Sequence, residues 1–245
     1  MDIIEVDNYH SLLKRHIPIG VGTTAYCFLM PDNKVFKLFK KNYRENSIFR
    51  NNEIIERLED INKIQNDTYI GPESIVMQDD KVIGYIYPLI EGKTFNKVNM
   101  NTKVIDILDD MDKLIEDTKD ISDKGFYLVD MHDKNLIYNG SYYVIDLDKG
   151  HLAENYPHLY RLNMKRIYDT IFFRIFGLRP WDGLQFNNPN LDRLYFQTKW
   201  DDRDAAYNTY DEFTKVIGVK EPTVKELRRI PHRKVHDEYR SLFDM

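Results

Sequence analysis

Cysteine is all but missing: Cys27 is the only one in 245 residues. That excludes an internal disulfide framework and a cysteine-based structural zinc site, and a reducing compartment such as the cytoplasm is expected. No uninterrupted apolar run approaches the roughly 18 to 20 residues needed to cross a bilayer, so no membrane span is expected. The first residues, Met1 to Asp7, are acidic and lack a long apolar core, so no signal peptide is expected either. There is no internal repeat and no low-complexity segment. Neither sign of charge dominates; the formal net charge of -5 argues against non-specific nucleic-acid binding as the main activity. What the chain does have is 42% hydrophobic residues, with 17 Tyr and 13 Phe, enough for a sizeable core in one domain or two small lobes.

The stretch richest in chemistry runs from Phe126 to Gly150. It reads as a short apolar strand, a polar loop, a second strand ending near Tyr138, an Asn139-Gly140 turn, and a third strand, Tyr142 to Ile145, that runs into acid. Asn-Gly between apolar runs is a strong hairpin signal because both residues tolerate positive φ. Asp130 therefore falls in the loop before the hairpin, Asn135 opens its first strand, and Asp146 and Asp148 close its second. Carboxylate and amide oxygens gathered beside one hairpin suit a hard cation such as magnesium. An acidic hairpin on a solvated surface would read the same way taken alone.

Upstream, Ile19-Gly20-Val21-Gly22-Thr23-Thr24-Ala25 lies between two apolar segments and permits a tight turn whose backbone N–H groups can approach phosphate. A plain hairpin turn fits it equally well. The residues that follow, Ala25 to Met30, read as a strand, which sets the motif apart from a dinucleotide fold, where a helix would follow the glycines. Val35 to Phe39 is another strand with one charge, Lys37, inside an apolar run. An ammonium there needs a partner or an edge position, because burying it unpaired is costly. A helix over Glu45 to Ile64 shows helical rhythm in Ile48, Ile54, Leu58 and Ile61. Glu53 and Glu56, one turn apart on it, are both able to face the lysine, and a surface pair with Arg57 is the bland alternative.

Two more strands, Ser74 to Met77 and Val82 to Tyr87, flank a turn at Gln78 to Lys81. Val104 to Ile121 is an amphipathic helix with Ile107, Leu108, Met111, Leu114 and Ile115 inward and its many acids on a solvated face. Asn163 to Gly177 is an apolar core helix with a glycine stop. Trp200, Tyr207, Tyr210 and Phe213 suggest packed terminal helices. The basic run Lys225, Arg228, Arg229, Arg233 and Lys234 reads first as a solvated helix face.

In this order, glycine hairpin, strand lysine, helix glutamate, Asp130-x-x-x-x-Asn135 and then Ile145-Asp146-Leu147-Asp148, the chain resembles the protein-kinase-like superfamily from about Ile19 to Trp181. The resemblance implies an α+β, two-lobed fold: a small antiparallel-sheet N-lobe over residues 1–88 and a mostly helical C-lobe over 89–245. It implies ATP and Mg2+ as cofactors. Lys37, paired preferably with Glu53, would clamp the α- and β-phosphates; Gly20, Gly22, Thr23, Thr24 and Ala25 would cover the triphosphate. Backbone groups of the connector Tyr85 to Phe95, Leu89 among them, would bind adenine, with Tyr87 at the back of the pocket. Asn135 and Asp146 would hold magnesium, with Asp148 an extra ligand or a turn residue, and Asp130 would orient the acceptor hydroxyl.

The chain also departs from the family. Leu128-Val129 replaces His-Arg, Asp-Phe-Gly has become Asp146-Leu147-Asp148, no Ala-Pro-Glu follows, Asn163 stands where aspartate is usual, and Pro88 removes a backbone donor from the connector. These differences point to a small enzyme without activation-loop control. Phosphorylation of Ser or Thr hydroxyls in a protein is the expected reaction. A small-molecule phosphotransferase of the aminoglycoside or choline type, and a nucleotide-binding pseudokinase scaffold, are the rivals.

Overall fold

A computed structural model describes residues 1–13, 17–41, 51–153, 157–177, 184–191, 193 and 203–234. The chain is α+β. Its first half builds a six-stranded sheet from β1 (Asp2–Glu5), β2 (Ile17–Val21), β3 (Ala25–Met30), β4 (Lys34–Phe39), β5 (Ser74–Gln78) and β6 (Lys81–Pro88). A short helix α1 (Tyr9–Leu13) follows β1, and α2 (Asn51–Ile64) joins β4 to β5. The strand order is β1-β5-β6-β4-β3-β2. All neighbours are antiparallel except β1, which lies parallel to β5. The sheet is therefore mixed rather than purely antiparallel, because the lead-in strand joins an edge that a distant part of the chain supplies.

β4 alternates in the manner of a strand covered on both faces. Phe36 and Leu38 join Val76, Ile83 and Ile86 in a small cluster under Val6, Tyr9 and Leu13. Phe39 and Tyr85 belong to the large core on the other face, with Leu58, Ile61 and Ile64 of α2. Lys37 points to that second face. Gly84 of β6 opposes Leu38, and a Cβ there would lie 2.1 Å from the Lys37 carbonyl oxygen. Only glycine lets β6 approach β4 this closely.

The second half is mostly helical. A β7 strand (Lys93–Thr94) is followed by α3 (Val104–Asp109) and α4 (Asp112–Asp123). The single helix expected over Val104 to Ile121 is thus broken at Asp110 and Met111. The break falls where Asp109, Asp110 and Asp112 crowd like charges among residues that form helix poorly. Asp117 is also not on the solvated face: it is buried and accepts the Thr68 N–H at 3.1 Å, with Lys113 2.9 Å away.

Next come β8 (Phe126–Tyr127), β9 (Leu136–Tyr138), β10 (Tyr142–Val144) and β11 (His151–Leu152). β9 and β10 form the expected hairpin, with Tyr138 opposite Tyr142. Its loop takes three residues, 139–141, and only Gly140 has positive φ; Asn139 instead accepts the Ser141 N–H on its side chain. The long helix α5 (Leu159–Phe176) starts earlier than the pattern indicated and ends at Gly177, whose φ of 72° makes it a left-handed cap. After it lie β12 (Leu184–Phe186), α6 (Arg203–Ile217), α7 (Val224–Leu227) and β13 (His232–Lys234). Tyr210 and Phe213 of α6 pack into the core as expected. Ile48, the turn at 178–181 and Trp200 lie outside the described residues. No helix among the described residues is long and apolar enough to cross a membrane.

One core cluster runs from Ala25 and Phe39 of the sheet to Phe172 and Phe176 of α5. A sheet half and a helical half joined in this way are compatible with two lobes. Replacing Gly84 by alanine should destabilise the protein by about 1–3 kcal/mol through overpacking against β4; a lowered denaturant midpoint at unchanged slope would register it.

Candidate active site

Lys37 is a buried charge with several partners. Its Nζ donates to Oδ1 of Asp146 and, at 2.9 Å, to Oδ2 of Asp148. The Tyr85 ring lies beneath it at 5.2 Å, and the Tyr85 hydroxyl donates to Asp148 at 3.4 Å. Burial pulls the Lys37 pKa down, but the charges of Asp148 and Asp146 outweigh burial, so the ammonium is held above its ordinary value. Burial pushes the Asp148 carboxyl up, and Lys37 opposes that shift. The Tyr85 hydroxyl is raised first by burial and then by Asp148.

The expected pairing of Lys37 with Glu53 is not formed. Glu53 and Glu56 are both exposed on α2, because Leu58, Ile61 and Ile64 take the inward face. It is Arg57 that reaches the site from this helix, donating to the Asp148 carbonyl at 3.2 Å. The acids that neutralise the lysine come instead from just past β10. Asp146 has a left-handed backbone, φ 63° and ψ 49°, which turns the chain from β10 into a 3-10 turn over Leu147–Lys149. Aspartate tolerates that conformation better than most side chains.

These groups line a cleft of about 190 Å³ between the sheet and the β9–β10 hairpin. Gly20, Gly22, Cys27, Lys37 and Tyr87 contribute from the sheet; Lys134, Asn135, Asp146 and Asp148 contribute from the hairpin side. Gly20 and Gly22 have no left-handed φ, and a Cβ on either would meet nothing nearer than 3.9 Å and 3.6 Å. The protein's own packing does not require glycine at these positions. The bare backbone is open to whatever enters the cleft.

Other expected residues fall outside the cleft lining. Thr23 is exposed, Thr24 is half-buried, and Ala25 is buried in the core beneath the turn, where its carbonyl accepts the Gly22 N–H at 2.8 Å. Leu89 is half-buried, and its N–H is spent on the Asn33 carbonyl at 2.7 Å. Tyr87 does line the cleft, its hydroxyl directed at the Cys27 sulfur 3.9 Å away. Burial pushes the Cys27 thiol up.

Asp130 does not line the cleft; it lines a small, mostly apolar depression together with Asp146, Val129, Met131 and Gly150. The Asn135 side-chain amide donates to the Asp130 carbonyl at 2.9 Å, and the Asn135 carbonyl accepts the Ile145 N–H. One asparagine thus ties the loop to both hairpin strands. The Asp130 carboxylate accepts from Lys149 at 2.5 Å.

The sequence pattern had not revealed what holds this loop. Asn163 is fully buried; its side chain accepts the Leu128 N–H and donates to the Phe126 carbonyl at 2.8 Å. Arg166 donates to the Val129 carbonyl at 2.8 Å and the Tyr127 hydroxyl at 2.6 Å, its guanidinium over the Tyr127 ring. Thr170 reaches the Met131 carbonyl at 3.3 Å. The available signal was Asn163, a polar residue in the helix's run of buried apolar positions, with Arg166 and Thr170 three and seven residues on.

Asn135, Asp146 and Asp148 all face the same cleft, and their oxygens are of the kind that hard cations take. The Asn135 Oδ1 has no hydrogen-bond partner among the described residues. Among those residues no group of three or more His, Cys, Asp and Glu converges as a metal site. Compared with known proteins, the sequence matches no family model and no curated protein.

Replacing Lys37 by methionine leaves Asp146 and Asp148 together without their cation, at a cost of about 3 kcal/mol at neutral pH. Burial already holds the Asp148 carboxyl above its ordinary value, and the folded variant would bind that proton more tightly than the unfolded chain. The deficit should therefore shrink as pH falls from about 7 to about 5. Denaturant midpoints of the variant and the parent protein across that range measure it.

Proposed function

We propose that the protein is an ATP- and magnesium-dependent phosphotransferase of the protein-kinase-like superfamily, acting on Ser or Thr hydroxyls of a protein acceptor. Residues 1–88 would form its small lobe and 89–245 its large one. The observation that carries this reading is the cleft in which Gly20, Gly22, Lys37, Asn135 and Asp146 meet, with Asp130 and Asp146 together lining the adjoining depression. These are the residue types that phosphoryl transfer calls for: open backbone and a cation for the phosphates, oxygen donors for a metal, and a carboxylate for the acceptor.

In the reaction, Lys37 turns from the two carboxylates to the α- and β-phosphates. Its ammonium is cationic at every physiological pH, because Asp148 and Asp146 more than offset its burial. The backbone of the Gly20–Gly22 segment covers the triphosphate. Magnesium, when held by Asn135 and Asp146 with Asp148 as a further donor, would neutralise phosphate charge. Asp130 orients the acceptor hydroxyl and receives its proton late in the transfer. Asn135 keeps Asp130 in place through its backbone, and Asn163, Arg166 and Thr170 hold the rest of the loop. Most of the acceleration comes from positioning and charge neutralisation.

A small-molecule acceptor is the second reading, favoured by one observation. Helix α5 begins at Leu159, so only the stretch 149–158 separates it from Asp148, little chain on which a protein substrate could dock.

Incubation with radiolabelled ATP and magnesium should label a generic protein acceptor, and the label should vanish with Asp146→Asn. ATP binding without labelled protein turns the test to small hydroxyl compounds; no ATP binding at all overturns the phosphotransferase. Asp130→Ala should lower turnover on the order of 10²–10⁴-fold while leaving nucleotide affinity nearly intact. Gly22→Ala should weaken ATP binding about tenfold, equal to about 1.4 kcal/mol. Its unfolding midpoint should stay at the parent value, because a Cβ at Gly22 meets only ordinary contact.

A further inference from the structure

Lys149 has no task in the mechanism above. It closes the 3-10 turn that follows Asp146, and its Nζ lies 2.5 Å from Oδ2 of Asp130. The side chain is 55% exposed. An ion pair open to water to this degree contributes little to stability and restrains a long side chain in doing so. Packing and stability therefore give little reason for a lysine here.

Its position relative to the cleft gives a better one. Ile145, Asp146 and Leu147 line both the cleft and the small depression that contains Asp130, so this stretch forms the wall between the two. Lys149 is rooted just past that wall and extends to the Asp130 carboxylate. Lys37 answers the acids on the cleft side. On the Asp130 side the cation in contact is Lys149, with His132 more distant at 3.9 Å. A phosphoryl group passing from the cleft to an acceptor beside Asp130 has to cross between Asp146 and Asp130. Lys149 stands at the Asp130 end of that crossing, with its ammonium on the Asp130 carboxylate.

We infer that Lys149 is a catalytic residue that binds the phosphoryl group being transferred, an assignment that rests on the phosphotransferase reading. Without nucleotide, its ammonium neutralises Asp130. When the triphosphate enters, the γ-phosphoryl oxygens carry more charge than one carboxylate and draw the ammonium away. The Asp130 carboxylate is then free to accept the hydrogen of the acceptor hydroxyl. In the transfer itself the bond between the γ-phosphorus and the bridging oxygen breaks, and its electron pair stays with the β-phosphate of ADP. The acceptor oxygen bonds to phosphorus, and its proton goes to Asp130. Lys149 makes and breaks no covalent bond; it stabilises charge on the oxygens in flight.

The assignment separates ATP from ADP, since only ATP carries the group that Lys149 would bind. Affinities for MgATP and MgADP would be measured by calorimetry for the unaltered protein, Lys149→Met and Lys149→Arg. Phosphate release from MgATP, with water as the acceptor, and the thermal unfolding midpoint would be measured on the same samples. Lys149→Met should reduce the preference for MgATP over MgADP about tenfold or more, because a charge-assisted hydrogen bond to the γ-phosphate is lost. Phosphate release should fall on the order of 10²–10³-fold. Lys149→Arg should regain most of the preference, and neither change should move the unfolding midpoint.

If Lys149→Met keeps the parent preference, the assignment is overturned while the nucleotide site stands. If the unaltered protein binds neither nucleotide, the phosphotransferase reading falls and the assignment falls with it. Should water prove a poor acceptor, the binding preference still decides between these outcomes.

Discussion

A buried ammonium needs counter-charge, and the middle of this protein is arranged to supply it. Lys37 on β4 finds Asp146 and Asp148 just past β10, across 109 and 111 positions of sequence. An isolated charge so deep would be strongly unfavourable, and two carboxylates alone would repel. Together, with Tyr85 beneath and Arg57 on the Asp148 carbonyl, they form a compensated cluster. The sheet half and the helical half meet through that cluster as well as through apolar packing.

The second support is the polar stripe on α5. Asn163, Arg166 and Thr170 satisfy backbone groups between Phe126 and Met131 that would otherwise be left without partners. A loop buried at its base and open at its rim can present Asp130 and Asn135 in fixed positions without a sheet of its own. Because the helix is long and its apolar face is deep in the core, the loop inherits the rigidity of that core. Asn135 completes the arrangement by bonding to Asp130 on one side and Ile145 on the other.

Much of the local architecture was readable from residue order. Alternation located β3, β4, β5 and β6, Asn139-Gly140 located the hairpin, and Gly177 located the end of α5. Those signals are local: a turn residue or a period of two acts on its own neighbours. The departures came where distant parts of the chain compete. β1 joined β5 in parallel and made the sheet mixed, the run of aspartates split one expected helix into α3 and α4, and Asp117 left the solvated face to cap the Thr68 N–H. In the site, Gly20, Gly22, Lys37, Tyr87, Asn135, Asp146 and Asp148 came to one cleft, whereas Thr23, Thr24, Ala25 and Leu89 did not line it.

By itself the sequence determined which chemistry-bearing residues exist and in what order: open glycines, one lysine in an apolar strand, and acids and an asparagine around a hairpin. It left open whether Lys37 would be buried with a partner or face water from an edge strand, and the central place of β4 between β6 and β3 buries it. Only the tertiary structure decided who would neutralise that lysine. Glu53 was nearest in sequence among the acids of the following helix, yet the inward face of α2 is taken by Leu58, Ile61 and Ile64, which leaves Glu53 in water. Pairing energies depend on distance through space and on local dielectric, and neither can be read from separation along the chain. The same physics set Lys149 on Asp130 and Asn163 under the loop, contacts made only once the helix and the hairpin have packed.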